Sequence, residues 1–109
     1  MSRYTLEELH GITANQINSL IKEGYKINAD KSVSDKKNVF IAILNKDDFE
    51  VIISTKESYE LFNETVDIYN SNTKRLDQSL SWNYYKAYNE YYCDSKYEAE
   101  DLREKYYFH

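Results

Sequence analysis

The chain has 109 residues, of which 41% are hydrophobic, 16% aromatic and 30% charged, and its formal net charge is −5. This length fits a single domain with one modest core, and the apolar content excludes a disordered protein. The longest apolar run, VFIAIL, is too short to span a membrane, the first residues show no signal-peptide pattern, and one cysteine cannot form an internal disulfide. We therefore expect one domain over residues 1–109 in a reducing cytoplasm.

Residues 1–24 predict a pair of short helices. Thr5 lies three residues before Glu8, as in a capping box, and Gly11 follows as a stop signal. Thr13 and Gln16 repeat the capping box, and Gly24 closes the second helix.

Residues 25–54 predict an antiparallel meander. In YKINA, which begins at Tyr25, apolar and polar residues alternate as in a strand with one wet face. The segments NVFIAIL and FEVIIS then flank NKDD, a four-residue turn rich in turn-forming residues. Three antiparallel strands follow from this pattern.

Residues 55–109 predict helices that are both acidic and aromatic. Ser54 and Glu57 form a third capping box, and apolar residues recur after it at steps of three and four. A second helix is expected from about Asp77 to Cys93, and a last one from Ser95, with Ala99, Leu102 and Tyr106 as its buried edge.

The predicted fold class is therefore α+β. It consists of two short N-terminal helices, a three-stranded antiparallel sheet and two to three longer C-terminal helices.

Acidic residues are concentrated in the second part of the chain. Residues 1–45 carry six Lys/Arg and five Asp/Glu, whereas residues 46–109 carry eight and fourteen. On predicted helices, two acidic series share a face: Glu57, Glu60, Glu64 and Asp67, and then Glu90, Asp94, Glu98 and Asp101. Such a face either mimics the phosphate spacing of a nucleic acid or is simply solvated.

Eight of the twelve tyrosines lie between Trp82 and His109. On a helix from Asp77 to Cys93 the large residues cover an arc of roughly 220°, about twice what one packing face needs. Trp82, Tyr85 and Tyr92 are the surplus, and they are candidates for a partner interface. The alternative is packing against the terminal helix through its Tyr97, Tyr107 and Phe108.

The segment TLEELHGITANQINSLIKEGY, residues 5–25, resembles the opening of winged-helix and excisionase-type domains. The resemblance implies a helix-turn-helix whose second helix enters the DNA major groove. Its base- and phosphate-facing residues would be Asn15, Gln16, Asn18, Ser19 and Lys22. Two capped helices that merely pack together are the alternative.

Enzymatic chemistry has little support in the sequence. His10 and His109 have no plausible partners, zinc would need more Cys and His, and two glycines cannot build a phosphate loop. In DDFEVIISTK the acids precede Lys56, as in metal-dependent nucleases, but the lysine is displaced from its place in that pattern. We expect no catalytic residue, metal or cofactor.

In size, acidity and tyrosine content, the C-terminal two-thirds of the chain resembles the small proteins by which phages and plasmids inhibit host defence enzymes, anti-CRISPR proteins among them. The resemblance implies a non-enzymatic inhibitor in a bacterial cytoplasm, whose acids fill the basic channel of a nucleic-acid-binding enzyme such as a CRISPR effector nuclease. The expected partner-binding residues are Glu57, Glu60, Glu64, Asp67, Trp82, Tyr85, Glu90, Tyr92 and Asp94. The alternative is a DNA-binding transcription regulator that dimerises through its tyrosine helices.

Overall fold

A computed structural model of the protein describes residues 3–28, 33–35 and 39–93. One helix and eight strands lie in these ranges. They are β1 (Arg3–Tyr4), α1 (Leu6–Lys22), β2 (Lys26–Ile27), β3 (Val33–Asp35), β4 (Val39–Lys46), β5 (Phe49–Glu57), β6 (Leu61–Asn70), β7 (Leu76–Ala87) and β8 (Glu90–Cys93).

The strands form a single sheet in which every pair of neighbours is antiparallel. Seven strands follow one another in the order β1-β8-β7-β6-β5-β4-β2, and β3 pairs with β4. From β4 to β8 the sheet is an up-and-down meander, in which each strand pairs with the next along the chain. The first strand, β1, completes the edge beside the last described strand, β8.

The two predicted N-terminal helices are one continuous helix, so that prediction was wrong. The capping box of Thr5 and Glu8 forms as expected, but the helix continues through Gly11 and Thr13 to Lys22. Its buried residues recur at steps of four, three and four, and they are Leu9, Thr13, Gln16 and Leu20. This single inward stripe crosses Gly11, which explains why one glycine does not end the helix.

The helix predicted after Ser54 is also wrong, because residues 61–70 form strand β6. Inward positions alternate with outward ones along this strand, and Phe62, Glu64 and Val66 are buried. Glu64 hides the alternation in the sequence, since an acidic residue stands where a strand pattern needs an apolar one. The acid therefore made a strand resemble an amphipathic helix.

The helix predicted from Asp77 to Cys93 is instead the hairpin of β7 and β8. Leu80, Trp82 and Tyr84 point inward along β7. The chain reverses at Tyr88, which has a φ of 61°, followed by Asn89. A tyrosine in this left-handed conformation is uncommon. Because glycine usually occupies such a position, the sequence lacks the residue that would have indicated the turn. The helix predicted from Ser95 lies outside the described residues.

The central hairpin forms where the sequence places it. Strands β4 and β5 pair from Val39 with Lys56 to Lys46 with Phe49, around a turn at Asp47 and Asp48. The prediction of only three strands is wrong, since β6, β7, β8 and β1 extend this sheet on the side of β5.

The core lies between α1 and one face of the sheet, which we call the inner face. Leu9 and Leu20 of the helix pack with inward residues of six strands, namely Tyr4, Ala42, Leu44, Val51, Ile53, Phe62, Val66, Trp82, Tyr84, Tyr91 and Cys93. The opposite, outer face carries the remaining residues of each strand. Within the described ranges, no helix combines the length and apolar composition needed to cross a membrane.

The C-terminal end of α1 is joined to the sheet by Lys46. Its Nζ lies 2.7 Å from the Glu23 carbonyl oxygen, to which it donates, and 5.7 Å from the centroid of the Tyr25 ring. Burial, together with the nearby charges of Glu23 and Asp47, raises the pKa of the Tyr25 hydroxyl above its ordinary value of 10.0.

The glycines provide a test of the continuous helix. A Cβ atom at Gly11 would meet no atom within 4 Å beyond its chain neighbours and the backbone of its own helix, whereas Gly24 has a φ of +106°. Gly11→Ala should therefore raise the free energy of unfolding by about 0.5–1 kcal/mol, because alanine favours a helix interior. Gly24→Ala, the matched control, should lower it. Urea unfolding measures both changes, and a destabilising Gly11→Ala would contradict the continuous helix.

The raised pKa of Tyr25 predicts a loss of stability at high pH. The folded state holds this proton more tightly than the unfolded chain, so the contribution is complete below the unfolded pKa of about 10 and is lost as pH rises through the folded value. The free energy of unfolding should fall less steeply above pH 10 in Tyr25→Phe than in the wild type. Urea titrations at a series of pH values measure this change. An equal fall of the free energy of unfolding with pH in the two proteins would contradict the raised pKa of Tyr25.

Candidate interface at the tyrosine end of the sheet

Three connections meet at one end of the sheet. The β5–β6 connection at residues 58–60, the β7–β8 turn at residues 88–89 and the start of α1 after β1 all lie there, because the strands are antiparallel. Lys86 of β7 donates its backbone N–H to the Glu60 carbonyl at 2.9 Å, which holds the first two connections side by side. Residues distant in sequence are thus brought onto one surface.

Four tyrosines are displayed at this end. Tyr59 and Tyr88 lie in the two connections and are 88% and 96% exposed. Tyr85 and Tyr92 are cross-strand partners on the outer face, the first 46% exposed and the second half-buried. We call Tyr59, Tyr85, Tyr88 and Tyr92 the tyrosine end. Rigid rings with polar hydroxyls, displayed together, are typical of protein interfaces.

Three other tyrosines belong to the core. Tyr4, Tyr84 and Tyr91 lie on the inner face, where they form edge-to-face contacts with one another or with Phe62. The ring centroids are 5.7–6.5 Å apart, within the range that aromatic pairs prefer. Strand alternation thus divides the adjacent pairs Tyr84–Tyr85 and Tyr91–Tyr92 between core and surface.

Acidic groups surround the tyrosine end. Glu60 is exposed in the β5–β6 connection, and Glu57, half-buried at the end of β5, binds Nε2 of His10 on α1. Glu90, at the start of β8, lies with one carboxylate oxygen 3.7 Å from Nε of Arg3 and 3.4 Å from the Tyr92 hydroxyl, which donates to it. The guanidinium of Arg3 also lies 5.8 Å from the centre of the Tyr92 ring.

The first predicted acidic series, from Glu57 to Asp67, does not form one face. Glu57 and Glu60 lie at the tyrosine end, whereas Glu64 is only 1% exposed beneath α1. Asp67 lies on the outer face, where its carboxylate accepts a hydrogen bond from Ser79. Asp94, together with Tyr97, Glu98, Asp101, Tyr107 and Phe108, lies outside the described residues.

Trp82 was predicted at the surface but is 1% exposed in the core. On the predicted helix, Trp82 lies beside Tyr85. On strand β7 the two residues are separated by an odd number of positions, so their side chains lie on opposite faces of the sheet. Tyr85 and Tyr92, by contrast, lie on the face away from the core.

The residues predicted to read DNA lie on α1. Asn15, Asn18 and Lys22 are exposed, and Ser19 donates its hydroxyl to the Asn15 carbonyl at 2.9 Å. Gln16 points inward and is buried. Because the described chain has a single helix here, these residues do not sit on the second helix of a helix-turn-helix.

Sequence reasoning did not find a buried polar layer between α1 and the sheet. Its members are Thr13, Gln16, Thr55 and Glu64. The Thr13 hydroxyl lies 3.3 Å from Oε2 of Glu64. Neither side-chain amide atom of Gln16 has a hydrogen-bond partner among the described residues. The register of β5 against β6 could have suggested this layer, since Thr55 and Glu64 are cross-strand partners.

A polar ladder on the outer face was also missed. The side-chain amide of Asn63 donates to the Ser81 hydroxyl at 3.0 Å and to the Asn83 side-chain oxygen at 2.9 Å. Thr65 donates to the Asn63 side-chain oxygen at 3.1 Å. The two bonds from Asn63 to Ser81 and Asn83 join β6 to β7, the strand that carries Tyr85.

Comparison with known proteins gives no relative: no family model, curated protein or solved structure matches the chain.

The burial of Trp82 can be tested by fluorescence, since it is the only tryptophan of the chain. Its emission in the folded protein should lie at shorter wavelength than in the unfolded chain and should resist quenching by iodide, because a buried indole is shielded from water. Trp82→Ala should lower the free energy of unfolding by about 3–5 kcal/mol. An emission wavelength in the folded protein equal to that of the unfolded chain would contradict the burial of Trp82.

Proposed function

We propose that this protein is a non-enzymatic binding protein, which contacts a basic nucleic-acid-binding protein through the tyrosine end and thereby inhibits it. One observation carries the proposal. Four exposed or half-exposed tyrosines, contributed by two separate parts of the chain, are gathered at one end of the sheet.

The exposure of these rings favours an interface over a structural role. The rings of Tyr59 and Tyr88 contribute little to the core, because nearly their whole surface is in water. Tyr85 and Tyr92 lie beside Leu61, the cross-strand partner of Tyr85, so the patch is continuous over β6, β7 and β8. A contiguous exposed aromatic surface of this kind is typical of a site where another molecule binds.

The charges at the same end favour a basic partner. Glu7 and Glu8 occupy the first turn of α1, and the two connections and their strands add three more acids, Glu57, Glu60 and Glu90. Arg3, Lys56 and Lys86 are the described Lys and Arg residues at this end, two fewer than the five acids. The local potential is therefore negative and attracts a positively charged surface.

A groove that binds nucleic acid is such a surface, since it must neutralise phosphates. A protein that covers the groove with acids and tyrosine rings competes with the nucleic acid for the same space. The inhibition we propose is therefore stoichiometric. A defence enzyme in the cytoplasm of a bacterial host is the partner class that the chain's size and acidity suggest.

Affinity purification from a bacterial lysate tests the proposal. The wild-type protein should retain a basic nucleic-acid-binding protein, with retention that weakens as salt rises. Tyr85→Ser combined with Tyr88→Ser should reduce the affinity at least about tenfold, since interface tyrosines often contribute more than 1 kcal/mol each.

Leu76→Ser is the matched control, because Leu76 is 51% exposed but lies at the other end of β7. It should leave retention unchanged. Equal loss in the control and the double variant would contradict the tyrosine end as the interface. Retention of duplex DNA by the wild type in a gel shift, with no protein captured, would favour a DNA-binding function instead.

A further inference from the structure

The contacts of Arg3 define a small site at the tyrosine end. Its guanidinium lies over the Tyr92 ring, 5.8 Å from the centroid, and its Nε is 3.7 Å from Oε2 of Glu90. The Tyr92 hydroxyl, at 3.4 Å, donates to that same oxygen of Glu90. One ring and one carboxylate, linked by a hydrogen bond, thus hold one arginine side chain.

This combination is selective for arginine. The planar guanidinium stacks on an aromatic ring and offers several N–H donors to a carboxylate at the same time. A lysine ammonium is a compact, strongly hydrated charge that gains less from the ring. The exposed ring of Tyr85, the cross-strand partner of Tyr92, lies beside this arrangement and offers a second stacking surface.

Arg3 is held loosely enough to be displaced. Its side chain is 66% exposed, and the distance of 3.7 Å to Glu90 exceeds a normal hydrogen bond. An exposed ion pair of this kind adds little to stability. The backbone of Arg3 pairs with Tyr92 in the sheet, so the side chain can swing away while β1 stays in place.

We propose that Glu90 and Tyr92 form an arginine-binding site, which the chain's own Arg3 occupies until an arginine of the partner replaces it. This inference rests on the proposed function, and it adds the residue that the partner must present. The basic surface recognised at the tyrosine end displays arginine side chains, and Arg3 weakens the binding by competing for the same place.

Fluorescently labelled octaarginine and octalysine peptides test the site by fluorescence anisotropy with the full-length protein. Octaarginine should bind more tightly than octalysine, and Glu90→Gln should remove most of the difference. Arg3→Met should raise the affinity for octaarginine roughly two- to fivefold, the effect of freeing one exposed stacking site.

Lys86→Met is the control for charge, because it removes one positive charge at the same end, and Lys86 pairs with Tyr91 and so lies on the face opposite to Tyr92. Its effect should be smaller than that of Arg3→Met. Circular dichroism of each variant should show an unchanged fold, since both side chains are exposed.

Each failure has a separate meaning. Equal effects of Arg3→Met and Lys86→Met would overturn the competition by Arg3. Equal affinities for the two peptides, or no binding of octaarginine, would overturn the arginine site. The proposed binding of a basic protein is decided independently by the lysate purification.

Discussion

The packing of α1 against the inner face of the sheet is the interaction on which the rest of the structure depends. Within the described ranges this helix is the only one, and its residues Leu9 and Leu20 lie among the inward side chains of β1, β4, β5, β6, β7 and β8. Since the helix covers one face alone, the fully buried apolar residues of these strands lie on that side. The outer face and the ends of the sheet are then free to carry other chemistry.

This division gives the tyrosines two roles in one short sequence. Where two tyrosines follow each other on a strand, the first enters the core beside Phe62 and the second faces outward. The core residue is held by edge-to-face packing, while the outward residue lies on the face away from the core. The abundance of tyrosine therefore does not mark a purely structural or a purely functional segment, because the alternation of the strand assigns each ring separately.

The parts of the fold that the sequence predicted correctly are those with strong local signals. The cap at Thr5 and Glu8 and the hairpin around Asp47 and Asp48 depend on neighbouring residues alone. The C-terminal strands were mistaken for helices for two physical reasons. Glu64 is an acid at an inward position, and the turn at Tyr88 uses a left-handed residue other than glycine.

The candidate interface shows the same limit. Tyr85 and Tyr92 could be singled out from the sequence as rings in excess of the core, although the predicted helix that carried them is a hairpin. Tyr59 and Tyr88 could not be joined to them, because their proximity comes from the antiparallel sheet and not from any spacing along the chain. The role of Arg3 was equally hidden, since its contact with Glu90 bridges the first and last described strands.

The pairing of β1 with β8 also bears on how the protein is made. Among the described strands, β1 is synthesised first and its partner β8 last, so this pair cannot form before residue 93 has left the exit tunnel. Contacts of such large sequence separation are among the slowest to form in folding. Arg3 consequently reaches Glu90 and Tyr92 only after the whole segment between β1 and β8 has been synthesised, and until β1 and β8 pair, this carboxylate and ring lack the arginine that contacts them in the folded molecule.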